Sequence, residues 1–296
     1  MTKNRVAIFG LGTMGAGMAH VVLSAGFPLS VYNRDPTKAK PLVAEGAFSA
    51  GSPKEAAERS EILISMVADD GASRAVWLGH DGALAGAVPG SVAIESSTLT
   101  VHWVRELAAA AAGRGVEVLD APVTGTKPHA ASGELRFLVG GSTKALERAR
   151  PVLSVLGQEI LHFGPIGSGA LMKLINNFMA GVQAVSFGEA LSLMKAGGLD
   201  SEKAVAVLTG GVPGSPLVRR IADRVATGDF TPNFLLRLMA KDLGYALEEA
   251  SERDINLRTA AAALSVFEQA VAAGYGDKDF TAIAQLLGSK QETVAH

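Results

Sequence analysis

The chain has 296 residues, a formal net charge of −2 at pH 7, 34 glycines and no cysteine. One hydrophobic core rarely serves so long a chain, so two domains are expected. The weak charge gives no basis for binding nucleic acid or an anionic membrane, and the lack of cysteine excludes disulfides and thiolate-bound metals. Small-molecule partners and a reducing, cytoplasmic location are therefore expected.

The first half of the sequence alternates short apolar runs with helical patterns. The runs predict strands at Val6–Phe9, Leu29–Tyr32, Ile62–Val67, Ser91–Glu95, Glu117–Leu119, Leu135–Val139 and Ile160–Phe163. Between them, helical spacing predicts helices at Met14–Ala25, Pro36–Glu45, Gly71–Trp77 and Val101–Gly113. This alternation is typical of a mostly parallel sheet covered by helices on both faces. The predicted α/β Rossmann domain spans residues 1–165.

The second half of the sequence, residues 166–296, has only helical patterns. It begins with a run from Ala170 to Lys195 that contains no proline, which predicts one long interdomain helix. A membrane span is the rival interpretation, but polar residues such as Lys173, Asn177 and Glu189 interrupt the run too often. An all-α C-terminal domain follows, with helices predicted at Ser201–Leu208, Pro216–Ala226, Leu235–Arg253, Leu257–Ala273 and Thr281–Leu287.

A glycine-rich motif lies between the first predicted strand and the first predicted helix. It consists of Gly10, Leu11, Gly12, Thr13, Met14 and Gly15, a match to G-x-G-x-x-G. In this context the first glycine allows a tight turn, the second admits a pyrophosphate against the backbone, and the third allows close helix–strand packing. A turn without a ligand is the alternative. The order of strand, motif, helix and strand favours a dinucleotide on the helix N-terminus.

The end of the second predicted strand bears on the choice of cofactor. An acidic residue there accepts hydrogen bonds from a free ribose 2′-OH, whereas an arginine pairs with a 2′-phosphate. Asn33 and Arg34 occupy this place, with Lys38 as a second cation, and so favour NADP(H). NAD(H) stays open, because Arg34 can instead stack on the adenine while Asp35 takes the ribose.

Four further motifs carry a resemblance that runs along nearly the whole chain. They are Ser97-Thr98, Asp120-Ala121-Pro122-Val123-Thr124-Gly125, Gly167-Ser168-Gly169 leading to Lys173 and Asn176-Asn177, and Lys241-Asp242-Leu243 followed by Gly276-Asp277. With the glycine motif, they resemble the β-hydroxyacid dehydrogenase family, which includes 3-hydroxyisobutyrate dehydrogenases and glyoxylate/succinic semialdehyde reductases.

The resemblance implies that Lys173 is the catalytic acid/base. A carbonyl that receives a hydride becomes an alkoxide and needs a proton donor and a nearby positive charge, which a lysine supplies. Asn177 lies four residues later on the same helical face and is expected to bind the substrate or orient the lysine. From the residues alone, a lysine that reaches solvent from the start of a helix is the competing interpretation.

The resemblance also assigns the remaining contacts. Thr124, Gly125 and Thr126 are the expected substrate loop, in which Lys127-Pro128-His129 replaces the family's small, glycine-rich continuation and resembles the glyoxylate/succinic semialdehyde reductase branch. Lys127 and His129 can equally be exposed loop residues. The expected cofactor contacts are the strand-end backbone of Met66 and Val67, Thr98 at the nicotinamide ribose, and Lys241, which also reaches the substrate.

Together these observations predict an NADP(H)-dependent reductase of a small carboxylated aldehyde, without a metal. The resemblance implies a homodimer or homotetramer. Three alternatives stay open: oxidation of a 3-hydroxy acid of the 3-hydroxyisobutyrate type, imine reduction, and a catalytically silent dinucleotide-binding module. Lys173 counts against the last two, because imine reductases usually carry aspartate or tyrosine at this position, and relatives that lost catalysis commonly lost the lysine.

Overall fold

The apolar runs of the first half of the chain form one sheet in the computed structural model, which describes residues 3–289. Its strands are β1 (Val6–Phe9), β2 (Leu29–Tyr32), β3 (Phe48–Ser49), β4 (Ile62–Ser65), β5 (Val92–Glu95), β6 (Glu117–Asp120), β7 (Val123–Thr124), β8 (Leu135–Gly141) and β9 (Gly157–Gly164). The order is β3-β2-β1-β4-β5-β6-β8-β7, with β9 also paired to β8. All pairs from β3 to β6 are parallel, whereas β8 is antiparallel to β6 and β7 and parallel to β9.

Helices connect these strands and cover the sheet. They are α1 (Gly15–Ser24), α2 (Lys40–Ala44), α3 (Pro53–Glu58), α4 (Asp70–Leu78), α5 (Ala83–Gly86), α6 (Val101–Ala112), α7 (Lys127–Ser132) and α8 (Thr143–Leu156), with a 3₁₀ turn at Pro36–Ala39. Strand β1 shows why both faces are covered: Val6 and Ile8 join one apolar cluster, while Ala7 and Phe9 join another. Alternate residues of a strand point to opposite faces, so a strand that is apolar throughout must be buried on both.

The chain divides into two compact units between Lys173 and Leu174. This division lies within α9 (Ser168–Ala196), the long helix predicted from the sequence. The second unit continues with α10 (Ser201–Gly210), α11 (Pro216–Thr227), α12 (Leu236–Ser251), α13 (Arg258–Ala270), a π turn at Val271–Tyr275 and α14 (Ala282–Ser289). No helix within residues 3–289 is both long and apolar enough to cross a membrane. The predicted fold class, a Rossmann domain followed by a long helix and a helical domain, is confirmed.

The structure adds elements that the sequence analysis did not assign. The largest is α8, which the pairing of β8 with β9 requires, because parallel strands need a crossover connection. Ser142 caps it, and Ala145, Leu146 and Ala149 bury one face despite a proline inside the helix. Helix α7 was not predicted either: Lys127–His129, for which the sequence left a substrate-loop continuation and an exposed loop both open, form its first turn. Pro128 fits there, because the first turn of a helix has no partner for its N–H groups.

Candidate active site

The glycine motif forms the turn from β1 into α1, and each glycine has a different environment. Gly10 has a φ of +93°, and a Cβ there would lie 2.3 Å from the Met66 carbonyl oxygen. A Cβ on Gly15 would lie 1.9 Å from the Gly10 carbonyl oxygen. Gly12 is exposed, and a Cβ there would meet no atom within 4 Å. Gly10 and Gly15 are therefore needed for the fold. Gly12 leaves the N-terminal end of α1 open, as a pyrophosphate requires.

This turn lies against the ends of the neighbouring strands. The Leu11 N–H donates to Oδ1 of Asn33 over 2.8 Å, which ties the turn to the end of β2. On the other side, Met66 and Val67 follow β4 and approach the position of a Gly10 Cβ. Leu11 is buried, Thr13 is exposed, and Met14 is the residue that precedes α1. The fold thus collects the predicted cofactor residues from three separate segments.

The carboxylate of Asp35 binds Thr37, two residues later in the chain. Its Oδ1 accepts from the Thr37 N–H at 3.0 Å and from the Thr37 hydroxyl at 2.6 Å, and these hydrogen bonds lower the pKa of the carboxyl below its ordinary value. The side chains of Arg34 and Lys38 are exposed beside it. The carboxylate therefore acts as the cap of the 3₁₀ turn, and two cations stand at the end of β2.

A buried carboxyl supports the segment that contains Thr98. Glu95, at the end of β5, is fully buried and binds the Ser73 hydroxyl, the Trp77 indole N–H and the Ser97 N–H at 2.5, 2.8 and 2.9 Å. Burial raises the pKa of this carboxyl. The hydroxyl of Ser97 in turn accepts from the Val67 N–H at 2.8 Å. The network joins two predicted cofactor segments, and the sequence analysis assigned no role to Glu95 or Ser97.

A second buried carboxyl holds the start of the long helix. Asp120 is the register partner of Glu95 on β6 and is fully buried. Its Oδ1 accepts from the Gly167 N–H at 2.8 Å and its Oδ2 from the Ala170 N–H at 2.7 Å. Burial raises the pKa of Asp120 to about 6, against the opposing effect of these hydrogen bonds. Lys173, half-buried, follows one turn after Ala170, so Asp120 fixes the turn from which the predicted acid projects.

The predicted substrate loop is a bend between β7 and α7. Thr124 is the last residue of β7, Gly125 is exposed with a φ of +129°, and Thr126 is the N-cap of α7. The N–H of Thr126 donates to Nδ1 of His129 at 3.1 Å. This N–H is therefore engaged in the cap, and Thr124 and Gly125 are the members of the loop left to present groups outward.

The second unit brings two predicted substrate residues to one buried carboxylate. Asn177 donates through Nδ2 to Oδ2 of Asp242 at 2.6 Å, and Nζ of Lys241 lies 2.9 Å from Oδ1 of the same aspartate. Asp242 and Asn177 are buried, and the Lys241 ammonium also lies 4.5 Å from the ring centroid of Tyr245. Asp242 thus holds both side chains in place.

The fold and these contacts define a class of protein. A parallel sheet, an open glycine turn at a helix N-terminus and a lysine on an anchored helix are the parts of a nicotinamide-dependent oxidoreductase. Among residues 3–289, no group of three or more histidine or acidic side chains is arranged to hold a metal ion.

Family models identify the chain more closely. The model for the "NAD binding domain of 6-phosphogluconate dehydrogenase" matches residues 5–164, and the model for "NAD-binding of NADP-dependent 3-hydroxyisobutyrate dehydrogenase" matches residues 167–287. The chain belongs to the β-hydroxyacid dehydrogenase family. It is an oxidoreductase that binds a nicotinamide dinucleotide and acts on the CH–OH group.

Individual relatives cover nearly the whole length of the chain. An NAD-dependent L-serine dehydrogenase of Pseudomonas aeruginosa is 35% identical over 97% of this chain and 99% of its own. The glyoxylate/succinic semialdehyde reductase 1 of Arabidopsis thaliana is 31% identical, again over 97% of this chain and 99% of its own. The structure of Mycobacterium tuberculosis 3-hydroxyisobutyrate dehydrogenase with L-serine has a TM-score of 0.88 at 32% identity, covering 96% of this chain and 99% of that one.

Proposed function

We propose that this protein reduces a small carboxylated aldehyde, of the glyoxylate or succinic semialdehyde type, to the hydroxy acid with NADPH, and that Lys173 is the general acid. The observation that carries the proposal is the anchoring of α9 by Asp120, which holds the turn before Lys173 through two backbone hydrogen bonds. A general acid works only when its proton is held within reach of the reacting oxygen. A helix that is anchored at its start keeps the lysine at a constant position.

The preference for NADP(H) rests on the end of β2. Asp35 is the acidic side chain closest in sequence to that strand end, and its carboxylate caps the following turn. Arg34 and Lys38 offer the positive charge that a 2′-phosphate needs, and an arginine can bind it through two parallel N–H donors. Asn33 is committed to the glycine turn through Leu11, which makes it a support of the cofactor site.

The chemistry divides between the cofactor and the chain. When bound, the nicotinamide supplies a hydride to the carbonyl carbon of the substrate. Nζ of Lys173 donates a proton to the carbonyl oxygen as that oxygen gains negative charge, and its own positive charge stabilises the developing alkoxide. Thr124, Gly125, Asn177 and Lys241 bind the substrate in this proposal, with Thr126 as the residue that shapes the loop. The ammonium of Lys241 suits a carboxylate, and Asp242 holds that ammonium in one orientation.

A second candidate is the same hydride chemistry in the opposite direction on a different substrate, a 3-hydroxy acid. It is favoured by the relatives, because one is named as an L-serine dehydrogenase and a solved structure of similar fold holds L-serine. L-serine carries a carboxylate and a hydroxyl on neighbouring carbons, so the same lysine would accept the hydroxyl proton. The two candidates share every proposed residue of the site and differ in cofactor, in direction and in the number of carbons between the hydroxyl and the carboxylate.

The direct test is the absorbance of the reduced nicotinamide. NADPH and NADH are each supplied with glyoxylate, succinic semialdehyde and a cyclic imine, and NADP⁺ and NAD⁺ with L-serine and 3-hydroxyisobutyrate. We expect fastest turnover with NADPH and an aldehyde acid. Fastest turnover of L-serine would establish the second candidate, reduction of the imine would establish an imine reductase, and cofactor binding without any turnover would indicate a silent module. Lys173→Ala should remove turnover by a factor of at least about 100, the usual size of acid–base catalysis.

The cofactor preference has its own variant. Arg34→Ala should raise KM for NADPH about tenfold or more and leave KM for NADH within about twofold, because only NADPH has the 2′-phosphate. Lys144→Ala is the control, since Lys144 is an exposed cation on α8 in the same unit. An Arg34→Ala enzyme with an unchanged ratio of the two KM values would contradict the assignment.

A dimer or tetramer is part of the proposal. Four apolar side chains, each more than half exposed, support it: Leu193, Leu199, Val207 and Val212. They lie on or beside α9 and α10, and α10 has no buried residue. Large apolar side chains left exposed on consecutive helices favour an interaction surface there. Light scattering coupled to gel filtration should give a mass of two or four chains.

A further inference from the structure

His129 lies in the first turn of α7, just after the bend formed by Thr124, Gly125 and Thr126. The proposed reaction assigns no role to this side chain. Its Nδ1 lies 3.1 Å from the Thr126 backbone nitrogen and 2.8 Å from the Thr126 hydroxyl. A backbone N–H can only donate, so Nδ1 is the acceptor and the ring carries its proton on Nε2. His129 thereby satisfies a donor at the N-terminus of α7 that has no partner within the helix.

The same side chain also confines the middle of the bend. Gly125 adopts a φ of +129°, and a Cβ there would lie 3.2 Å from Cβ of His129 and 3.0 Å from Cδ2 of Leu135. On the side where a side chain would stand, Gly125 therefore faces His129 and the start of β8. One side chain therefore bears on two consecutive residues of the bend, by accepting from Thr126 and by leaving no room for a side chain at Gly125.

Helix α7 gives His129 a fixed base. Ala130 is fully buried, and the backbone of Ala131 lies close to α1, because a Cβ on Gly17 would come within 3.0 Å of the Ala131 nitrogen. At the other end, Gly133 has a φ of +72° and its N–H donates to the His129 carbonyl oxygen. Helix α7 is therefore held between its own cap and the helix opened by the glycine motif. A side chain on such a base can hold a loop in one conformation.

We propose that His129 is a positioning residue for the substrate loop: it holds the Thr126 N–H and the Gly125 backbone so that the Thr124 hydroxyl and the Gly125 N–H face the carboxylate of the substrate. This inference rests on the proposed function insofar as it assigns the loop to the carboxylate. It also explains why a histidine stands at position 129. In a capping box, a glutamate or glutamine three residues after the N-cap accepts the N-cap N–H, and here a histidine does so.

The test compares His129→Ala, which removes the acceptor, with His129→Gln, which restores one at the usual capping-box position. Ser132→Ala is the control, because Ser132 is exposed on the same helix and bonds only to carbonyl oxygens of the preceding turn. We expect His129→Ala to raise KM for the carboxylated substrate about five- to tenfold, the scale of one lost cap hydrogen bond. KM for NADPH and kcat should stay within about twofold, and His129→Gln should recover most of the loss.

Hydrogen–deuterium exchange gives a second readout that needs no substrate. The Thr126 amide should exchange about tenfold faster in His129→Ala and close to the wild-type rate in His129→Gln and Ser132→Ala. Unchanged exchange and KM in His129→Ala would overturn the inference, as would a glutamine variant that behaves like the alanine variant, or a parallel rise of both KM values. If the wild-type enzyme turned over no offered substrate, the proposed function would fail, while the exchange rates would still decide the role of His129.

Discussion

Replacing Asp120 by asparagine separates what this buried carboxyl does for stability from what it does for catalysis. Burial raises its pKa from the ordinary 3.8 to about 6 in the folded protein. A carboxyl with a raised folded-state pKa binds its proton more tightly in the native than in the unfolded chain. Its contribution to the free energy of unfolding is therefore greatest below the unfolded pKa and is lost as the pH rises through the folded pKa.

The size of the effect follows from the same pKa difference. One pKa unit corresponds to about 1.4 kcal/mol, so the wild type should lose roughly 3 kcal/mol through this group from low to neutral pH, about half of it between pH 5 and 7.5. Asp120→Asn keeps the shape of the carboxyl but does not ionise. The stability of the variant relative to the wild type should therefore increase with pH. Its kcat should fall at least about tenfold, because one of the two N–H groups that anchor α9 faces an amide NH₂.

The assay is urea unfolding of both proteins between pH 5 and 8, with kcat and both KM values measured at neutral pH. The matched control is Asp200→Asn, because Asp200 caps α10 at the surface, where the backbone and side-chain hydrogen bonds of Lys203 lower its pKa. Because that pKa lies below the ordinary 3.8, Asp200 is ionised in both the folded and the unfolded chain throughout the assay, and the stability difference between wild type and Asp200→Asn should stay constant from pH 5 to 8. A difference between wild type and Asp120→Asn that does not change with pH would refute the reasoning about burial, and an unchanged kcat would refute the reasoning about Lys173.

Three further predictions test the supports of the site. Glu95→Ala removes the acceptor of a buried indole N–H and should lower the free energy of unfolding by about 2–4 kcal/mol, measured in urea. It should also weaken NADPH binding, and an unchanged NADPH affinity would contradict the role of Glu95 as a support of the cofactor site. Asp242→Ala takes a shared partner from Asn177 and Lys241 and should lower kcat/KM for the substrate about tenfold or more, with the dissociation constant of NADPH unchanged by fluorescence titration. Gly15→Ala should destabilise the fold, because a Cβ at Gly15 meets the backbone of Gly10, whereas a Cβ at Gly12 meets nothing. Gly12→Ala should therefore keep the wild-type melting temperature and lose NADPH affinity. Equal melting temperatures of the two variants would disprove this difference between the two glycines.

The alternation of apolar runs and helical patterns was enough to predict the sheet, the long helix and the helical domain, because each depends on local periodicity. The strands at Val6–Phe9 and Leu29–Tyr32 agree with the structure to the residue. Helix α8 was not predicted: only the parallel pairing of β8 and β9 makes a crossover necessary. Helix α7 was not predicted for a similar reason, since it is short and relies on the cap at Thr126 and on packing against α1.

The residues proposed to carry the chemistry could be named from the sequence, because the glycine motif, Arg34 and Lys173 belong to local sequence patterns. The supports of those residues could not be named in this way. Glu95 and Asp120 are ordinary acids in the sequence, and they become buried neighbours only when β5 and β6 pair in register. Asp242 meets Asn177 across 65 positions of sequence. Such contacts depend on which strand ends and helix turns the fold brings within hydrogen-bonding distance. Burial then determines the partners of each carboxyl. Only the tertiary structure could therefore decide the roles of these three residues.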